Sequence, residues 1–327
     1  MKGSMKRVFA VGASNMDICA KSSAPMREAD SNIGVVSTAC GGVGRNIAVA
    51  LRRFGFQVSF LTAIADDTFG HDIMTSLKAD AVGSVAPLFT REGFGKELRT
   101  GVYSFILDSN GALLCGINDM GINEELTPAF VGKYNDALRS ADYVVFEANI
   151  PVETIGYLGS LAREGVKLAA DCVSVSKCTK LSGVLGDLYL LKANYSEACA
   201  LAGMEDASEN GGAKDPLAVV QRLVGKGLER GIITLGKDGA FCFEVQAFEG
   251  GGLEWYKVVP PTSEIVNANG CGDVLFAGFL AALSRGLSLK GSLEFGQYAA
   301  SVNAMSSEAV AKELSGLESA LGMNPLA

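Results

Sequence analysis

Asn267-Ala268-Asn269-Gly270-Cys271-Gly272-Asp273 runs without a break into Val274-Leu275-Phe276-Ala277-Gly278-Phe279-Leu280-Ala281-Ala282-Leu283. Two glycines flank one small residue, and an acid opens a strongly apolar helix. The glycines permit a turn whose amide N–H groups converge, and the positive end of the helix dipole reinforces them. Such a pocket suits a transferring phosphoryl group, with Asp273 placed to accept a hydroxyl proton. The same residues can equally form a plain turn and helix cap, and this stretch alone leaves both readings open. The run Val274–Leu283 is about half a membrane span, so it reads as a buried helix of a globular protein.

Outward from this point the chain alternates strand-like and helix-like runs. Arg7–Val11 and Val58–Ala65 read as strands around a helix over Gly44–Phe54, where Ile47, Leu51 and Phe54 recur at helical spacing and Gly55 ends the run. Tyr143–Phe146, Val166–Ala170, Leu188–Leu191 and Ile232–Leu235 repeat the strand theme, with a helix predicted over Pro216–Arg230. Pro151 sits where the first turn of another helix would tolerate it. Helices over Asp273–Ser284 and Leu293–Ser307 close the pattern. Strands alternating with helices imply a mainly parallel sheet covered on both faces, an α/β three-layer arrangement. Residues 18–40 and 99–118 break the rhythm, the second as a hairpin turning at Asp108-Ser109-Asn110-Gly111. Together they predict a small β-sheet inserted in a core of 1–17, 41–98 and 119–327, serving as a lid or a homodimer surface.

Composition narrows the function. The 327 residues carry 28 basic and 36 acidic side chains, a net charge of −8. That balance argues against nucleic-acid binding, which needs basic patches. The single histidine, His71, excludes multi-histidine metal sites, and its acidic neighbourhood reads as solvated. Eight cysteines without a Cys-x-x-Cys pair read as buried thiols of a reducing compartment. With no signal-like or membrane-spanning run, a cytoplasmic protein is expected.

Other motifs carry weaker chemistry. Gly41-Gly42-Val43-Gly44-Arg45-Asn46 opens a helix, leaving bare backbone for a ligand and the amide of Asn46 for sugar hydroxyls; a plain turn would look the same. Asn15 and Asp17 follow the first strand, where they could bind a polyol or end the strand. Asn194-Tyr195-Ser196-Glu197 either anchors a hydrated Mg²⁺ or caps a helix. Lys177 and Lys192 are candidate phosphate contacts or ordinary solvated lysines. Gly231 to Asp238 imitates a P-loop, but its interior Ile232-Ile233-Thr234-Leu235 is a buried strand. Thr234 and Gly236 still fall at that strand's carboxyl end, where parallel sheets bind ligands. No Gly-x-Gly-x-x-Gly follows the first strand, which disfavours a dehydrogenase.

Taken in order, these pieces resemble the PfkB (ribokinase-like) family of sugar and nucleoside kinases. The resemblance rests on Asn15/Asp17, Gly41-Gly42-x-Gly44-x-Asn46, Asn194-x-x-Glu197, Thr234-x-Gly236-x-x-Gly239 and Gly270-Cys271-Gly272-Asp273. Within the family, Ala29-Asp30-Ser31-Asn32, Ile117-Asn118-Asp119-Met120 and Asp171-x-Val173-Ser174-x-x-Lys177-Cys178 are similar to pseudouridine kinases. The resemblance implies a ribokinase-like fold and ATP-dependent phosphorylation of the 5′-hydroxyl of pseudouridine. Asp273 would be the base, the amides of Gly270, Cys271, Gly272 and Asp273 the anion hole. Asn15, Asp17, Gly41, Gly42 and Asn46 would hold ribose, with Asp30, Ser31 and Asn118 nearer the base. Lys192, Asn194, Thr234, Gly236 and Gly239 would bind ATP, and Glu197 would serve Mg²⁺. Cys172, Ala193 and Cys271 depart from the residues usual at their positions. Asn267 stands where many relatives carry aspartate, which weakens the inference of a K⁺ site. Ribokinase- or adenosine-kinase-like specificity, or a non-catalytic nucleoside-binding protein, are the alternatives.

Overall fold

The computed structural model describes residues 5–84, 88–89, 98–246, 252–261, 265–317 and 319. The remaining parts of the stretches assigned above to the core lie outside the described residues. Its strands are β1 (Arg7–Val11), β2 (Asn15–Ser22), β3 (Gly34–Gly41), β4 (Gln57–Leu61), β5 (Ile64–Ala65), β6 (Gly83–Ser84), β7 (Leu88–Phe89), β8 (Gly101–Leu107), β9 (Leu113–Asp119), β10 (Tyr143–Glu147), β11 (Leu168–Asp171), β12 (Leu188–Asn194), β13 (Arg230–Thr234), β14 (Ala240–Val245) and β15 (Leu253–Val258). Nine of them form one sheet in the order β15-β14-β13-β12-β11-β10-β1-β4-β6. All its pairings are parallel except β13–β14 and β14–β15.

Alternate residues of each strand serve opposite cores, as the period of two demands. On β1, Phe9 and Val11 join the helices Val152–Ala162, Tyr195–Ala202 and Pro216–Val224. Val8 and Ala10 turn the other way, toward the helices Val43–Arg53, Cys271–Ser284 and Leu289–Ala304. Both faces are therefore covered, and near-continuous apolar strands such as Val144-Val145-Phe146 are the consequence. The three-layer α/β expectation holds.

A second sheet, ordered β3-β2-β8-β9, stands apart from the first. It takes in the two stretches that broke the rhythm, but β2 begins at Asn15, so Asn15 and Asp17 belong to its first strand. Several element bounds differ from expectation. The Val58–Ala65 strand breaks at Thr62-Ala63, and Ile64–Ala65 pairs instead with Leu88–Phe89. The Pro216 helix ends at Val224, because Gly225 and Gly227 interrupt it and Arg230 already pairs in β13. The last long helix runs Leu289–Ala304, its N-terminus capped by Ser288.

All eight cysteines are free. Cys172, Cys178, Cys199 and Cys242 are buried as expected, but Cys115 is exposed on β9 and Cys19, Cys40 and Cys271 are half-buried. Exposed His71 pairs with Asp66 at 2.9 Å, in line with a solvated role. No helix of the described residues is long and apolar enough to cross a membrane.

Candidate active site

β1 lies between β4 and β10, so the chain departs from it in both directions across the sheet. At such a switch point the strands' carboxyl ends open a crevice. Here charged residues line it in neighbouring register: Glu147 beside Asp171, and Asp171 beside Lys192. Lys192 Nζ stands 3.0 Å from Asp171 Oδ2. Burial alone would push Lys192 down, but Asp171, Glu197 and Asp273 hold it protonated above the usual lysine range. A cation is thereby fixed beneath the glycine turn: a Cβ on Gly272 would meet Lys192 Nζ at 3.0 Å.

The turn itself is built as its sequence requires. Gly270 adopts φ +74, and a Cβ there would come within 2.0 Å of Ala309 O, so only glycine fits. Gly270 is the N-cap of the Cys271–Ser284 helix, and no side chain caps it. The first-turn amides are thus left without a side-chain acceptor, which suits an anion. Asp273 lies in this turn, buried, and Asn46 Nδ2 donates to its Oδ2 at 2.9 Å. Burial and the negative charge of Asp171 push Asp273 up to about 7, while Lys192 and Asn46 pull it the other way. A carboxylate poised near neutrality can both hold and release a proton at physiological pH.

Asn46 belongs to the Val43–Arg53 helix, which enters close to β1. Gly44 permits this: a Cβ there would strike the Gly12 and Ala13 backbone at 2.9 Å. Gly42 takes φ +101, and at Gly41 a Cβ would meet Asp17 Oδ2 at 2.2 Å. The bare backbone is therefore room for the Asp17 carboxylate, to which Asn15 Nδ2 donates at 2.6 Å. Burial raises Asp17, opposed by that hydrogen bond and by Arg45. Asn46 and Asp273 thus meet at the glycine turn, and Asp17 lies beside Gly41, where the small sheet leads into the helix that carries Asn46.

On the other side, a cleft of about 690 Å³ is lined by Thr234, Gly236 and Gly239 together with Cys271 and Gly272, closed by Val259, Pro260 and Gln297. The glycines of the Gly236–Asp238 turn have φ +67 and +95 at Gly236 and Gly239, conformations that keep side chains out of the cleft. Lys192 and Asn194 do not line it; they lie behind it on β12.

The remaining predicted residues fall less centrally. Asn194 and Glu197 form a complete capping box: Asn194 Oδ1 accepts from the Glu197 amide at 2.8 Å, and Glu197 accepts from the Asn194 amide and Nδ2, each at 2.7 Å. The capping alternative is realised, and the Glu197 carboxylate is engaged in it, so that any part in anchoring a hydrated Mg²⁺ would run through water. Among the described residues no three His, Cys, Asp or Glu side chains cluster as metal ligands. Asp30 and Ser31 sit in the exposed 23–33 loop, where the Asp30 carboxylate accepts from the Ser31 amide. They are not hydrogen-bonded to the Asn46–Asp273 group. Asn118 lies on β9 opposite Tyr103, and Tyr103 lies opposite Asp17, so the three share a face of the small sheet. Tyr103 stacks on Phe105 at 5.1 Å.

Sequence reasoning missed Glu147, Tyr103 and Arg45. Glu147 is fully buried, accepts from the Ala13 amide at 2.6 Å and the Asn149 amide at 2.8 Å, and is pushed by burial up to about 7. Asn149 in turn accepts from Lys177 Nζ at 2.5 Å. The available signal was that the apolar runs of three successive strands are followed by a charged residue, Glu147, Asp171 and Lys192, the first two closing their strands and the third two residues before the end of β12. Next to Asp171, Val173 holds a left-handed φ of +66, strained for a β-branched residue and held by its amide donating to Asp171 Oδ1.

A profile of pfkB family carbohydrate kinases matches residues 5–314. The chain is 29% identical to the pseudouridine kinase of Escherichia coli over 290 residues, 89% of this chain and 88% of the relative. It is 25% identical to the ribokinase of Bacillus subtilis over 92% of this chain and 94% of that one. Among solved structures, a carbohydrate kinase from Agrobacterium tumefaciens superposes with TM-score 0.76 at 27% identity, covering 97% of each chain. Arabidopsis thaliana ribokinase complexed with ribose and ATP shares the fold at TM-score 0.74 and 20% identity, over 93% of this chain and 94% of that one.

Proposed function

The chain belongs to the pfkB family of carbohydrate kinases, and we propose that it transfers the γ-phosphoryl group of ATP to the 5′-hydroxyl of pseudouridine. The observation that carries this reading is the position of the Gly270–Asp273 turn. The cleft of Thr234, Gly236 and Gly239 reaches Cys271 and Gly272 of that turn, Asn46 meets its Asp273, and Asp17 lies beside Gly41 just ahead of the Asn46 helix. ATP in the cleft and a ribose by Asp17 and Asn46 would meet at the uncapped helix N-terminus. The acceptor oxygen attacks phosphorus, the bond to the β-phosphate bridging oxygen breaks, and the hydroxyl proton passes to Asp273. The Gly272 and Asp273 amides and Lys192 offset the charge on the migrating group, the larger part of the catalysis in a loose transition state, while the Cys271 amide already donates to Ala268 O at 3.3 Å.

Mg²⁺ bound with ATP would neutralise the phosphates. Asp171 and Glu197 suit outer contacts to it through water, since each carboxylate already accepts protein donors. The small sheet is proposed to act as a lid, offering Asp17 to ribose and the Tyr103–Asn118 pair to the base. Asn118 supplies both donor and acceptor to a pyrimidine edge, and Tyr103 supplies a stacking face. Asp30 and Ser31 would reach the base only with movement of their loop. The outer face of this sheet, where Val36 and Ile117 are exposed, is proposed to pair with a second copy. Eight free thiols suit the reducing cytoplasm.

An ADP-release assay over pseudouridine, uridine, adenosine and ribose tests the substrate. The highest kcat/KM is expected for pseudouridine; a preference for ribose or adenosine would replace that assignment while leaving the kinase reading intact.

A further inference from the structure

The glycine turn is anchored from behind by side-chain amides. Asn303, fully buried at the end of the Leu289–Ala304 helix, donates from Nδ2 to Asn269 O at 3.3 Å and to Ala309 O at 3.1 Å. Its orientation is set by inventory, because its Oδ1 accepts from the Ala311 amide at 2.7 Å and a flipped amide would face that N–H with its own. Asn267 is fixed the same way: its Oδ1 accepts from the Asn269 amide at 2.9 Å, and its Nδ2 donates to Ser307 O at 3.2 Å. Ala304 O, at the negative end of the helix dipole, accepts from the amides of Val266 and Asn267 at 2.8 and 3.1 Å.

Four backbone carbonyls that flank the glycine turn, of Asn269, Ala304, Ser307 and Ala309, are thus each engaged by the Asn303 or Asn267 side chain or by the 266–267 amides. A ring of carbonyls is the donor set that replaces the hydration shell of K⁺. Here each of them faces an N–H. Asn303 Nδ2 occupies the point between Asn269 O and Ala309 O, and a cation there would confront the amide hydrogens. Asn267 brings no carboxylate charge either. The residues present do not fit the K⁺ that the family resemblance raises as an expectation.

We propose that Asn303, assisted by Asn267, takes the place of a monovalent cation behind the anion hole, so that this chain works without one. The geometry explains what the amide accomplishes. It clips Asn269, one residue before Gly270, to Ala309, whose carbonyl lies against Gly270 itself. The turn that aims the Gly272 and Asp273 amides is thereby held to the helix layer by neutral donors, independent of the salt around it.

The proposal rests on the kinase reading, so its test has a readout that needs no turnover. Thermal unfolding and nucleoside-dependent ADP release are measured in KCl, NaCl and tetramethylammonium chloride at equal ionic strength. The wild-type chain is expected to melt at the same temperature in all three, and to turn over equally wherever it turns over at all. Asn303→Ala empties the point between the two carbonyls. It is expected to lose activity in tetramethylammonium, by about 10²-fold if the turn shifts by an ångström, and to regain much of it in KCl. A rise in the wild-type melting temperature or rate specific to K⁺ would overturn the proposal, as would Asn303→Ala that is impaired but equally so in every salt. Should that variant not fold, the wild-type comparison decides alone. Absence of turnover in every salt would count against the kinase reading, while the melting curves still report on the cation.

Discussion

Asn46 Nδ2 donates to Asp273 Oδ2 across 227 positions of sequence, 2.9 Å apart and both buried. The bond joins the start of one helix to the start of another and fixes which oxygen of Asp273 is free for an acceptor hydroxyl. Asp273→Asn keeps the shape but removes the base. It is expected to lower kcat by about 10²–10⁴-fold, the usual share of a general base, while nucleoside binding measured by calorimetry persists. Near-normal turnover of the variant would remove Asp273 from the mechanism.

Asn46 has its own support. Arg45 Nη1 donates to Asn46 Oδ1 at 3.3 Å and Nη2 to Ser76 Oγ at 2.7 Å, with Asp80 3.6 Å away. Arg53 shares Asp80 at 2.6 Å. The fork therefore decides which way the Asn46 amide faces, and a lysine cannot make both contacts. Arg45→Lys is expected to reduce kcat by about 10-fold to 10²-fold with a smaller change in KM, because a misaimed Asn46 releases Asp273. It should also raise the apparent pKa of the acid limb, since the Asn46 hydrogen bond holds Asp273 down. An unchanged pH profile would reduce Arg45 to a packing role.

The pH dependence has a definite sign. Asp273 must be ionised to accept a proton, and burial with Asp171 places its titration at about 7. Activity should therefore rise through neutrality as pH increases. Asp171→Asn removes the like charge and should shift that limb to lower pH. Stability moves oppositely. Asp273 and Glu147 bind protons more tightly folded than unfolded, from ordinary values of 3.8 and 4.5 up to about 7 each. Their contribution is complete below about pH 4 and disappears as pH rises through 7. Urea unfolding at pH 5 and pH 8 should show this loss, reduced in Glu147→Gln; equal slopes for the variant and the wild type would refute it.

The two turn glycines should respond differently to alanine. Gly270→Ala meets both a left-handed φ, about 1–2 kcal/mol for a residue with a Cβ, and the Ala309 carbonyl, so the melting temperature should fall clearly. Gly272→Ala has an ordinary φ and meets only the side-chain end of Lys192, at 3.0 Å. It should fold nearly as well and lose turnover instead. Equal destabilisation of both variants would contradict this division.

The outer face of the small sheet leaves Val36 about 68% and Ile117 about 74% exposed. Val36→Asp with Ile117→Asp is expected to convert a dimer to a monomer in sedimentation velocity. A wild-type chain that sediments as a monomer at all concentrations would end the dimer proposal.

Much of this protein is local and was legible as such. The alternation of apolar runs with helical patterns sets a two-faced sheet, because a strand buried on both sides has no polar positions to spare. Left-handed turns at Gly42, Gly236 and Gly270 are written as glycine because a Cβ is strained there. The Asn194–Glu197 pair carried two local meanings, and only the three-dimensional structure shows the capping box. What tertiary structure alone decided is which of these turns face one another. Sheet order brings the ends of β10, β11 and β12 side by side, so that Glu147, Asp171 and Lys192 become one charged group under Asp273. Nothing in the spacing of Asn303 foretold that its amide would close on Asn269 and Ala309. Hydrogen bonds between distant segments depend on how layers pack, and packing is a property of the whole chain.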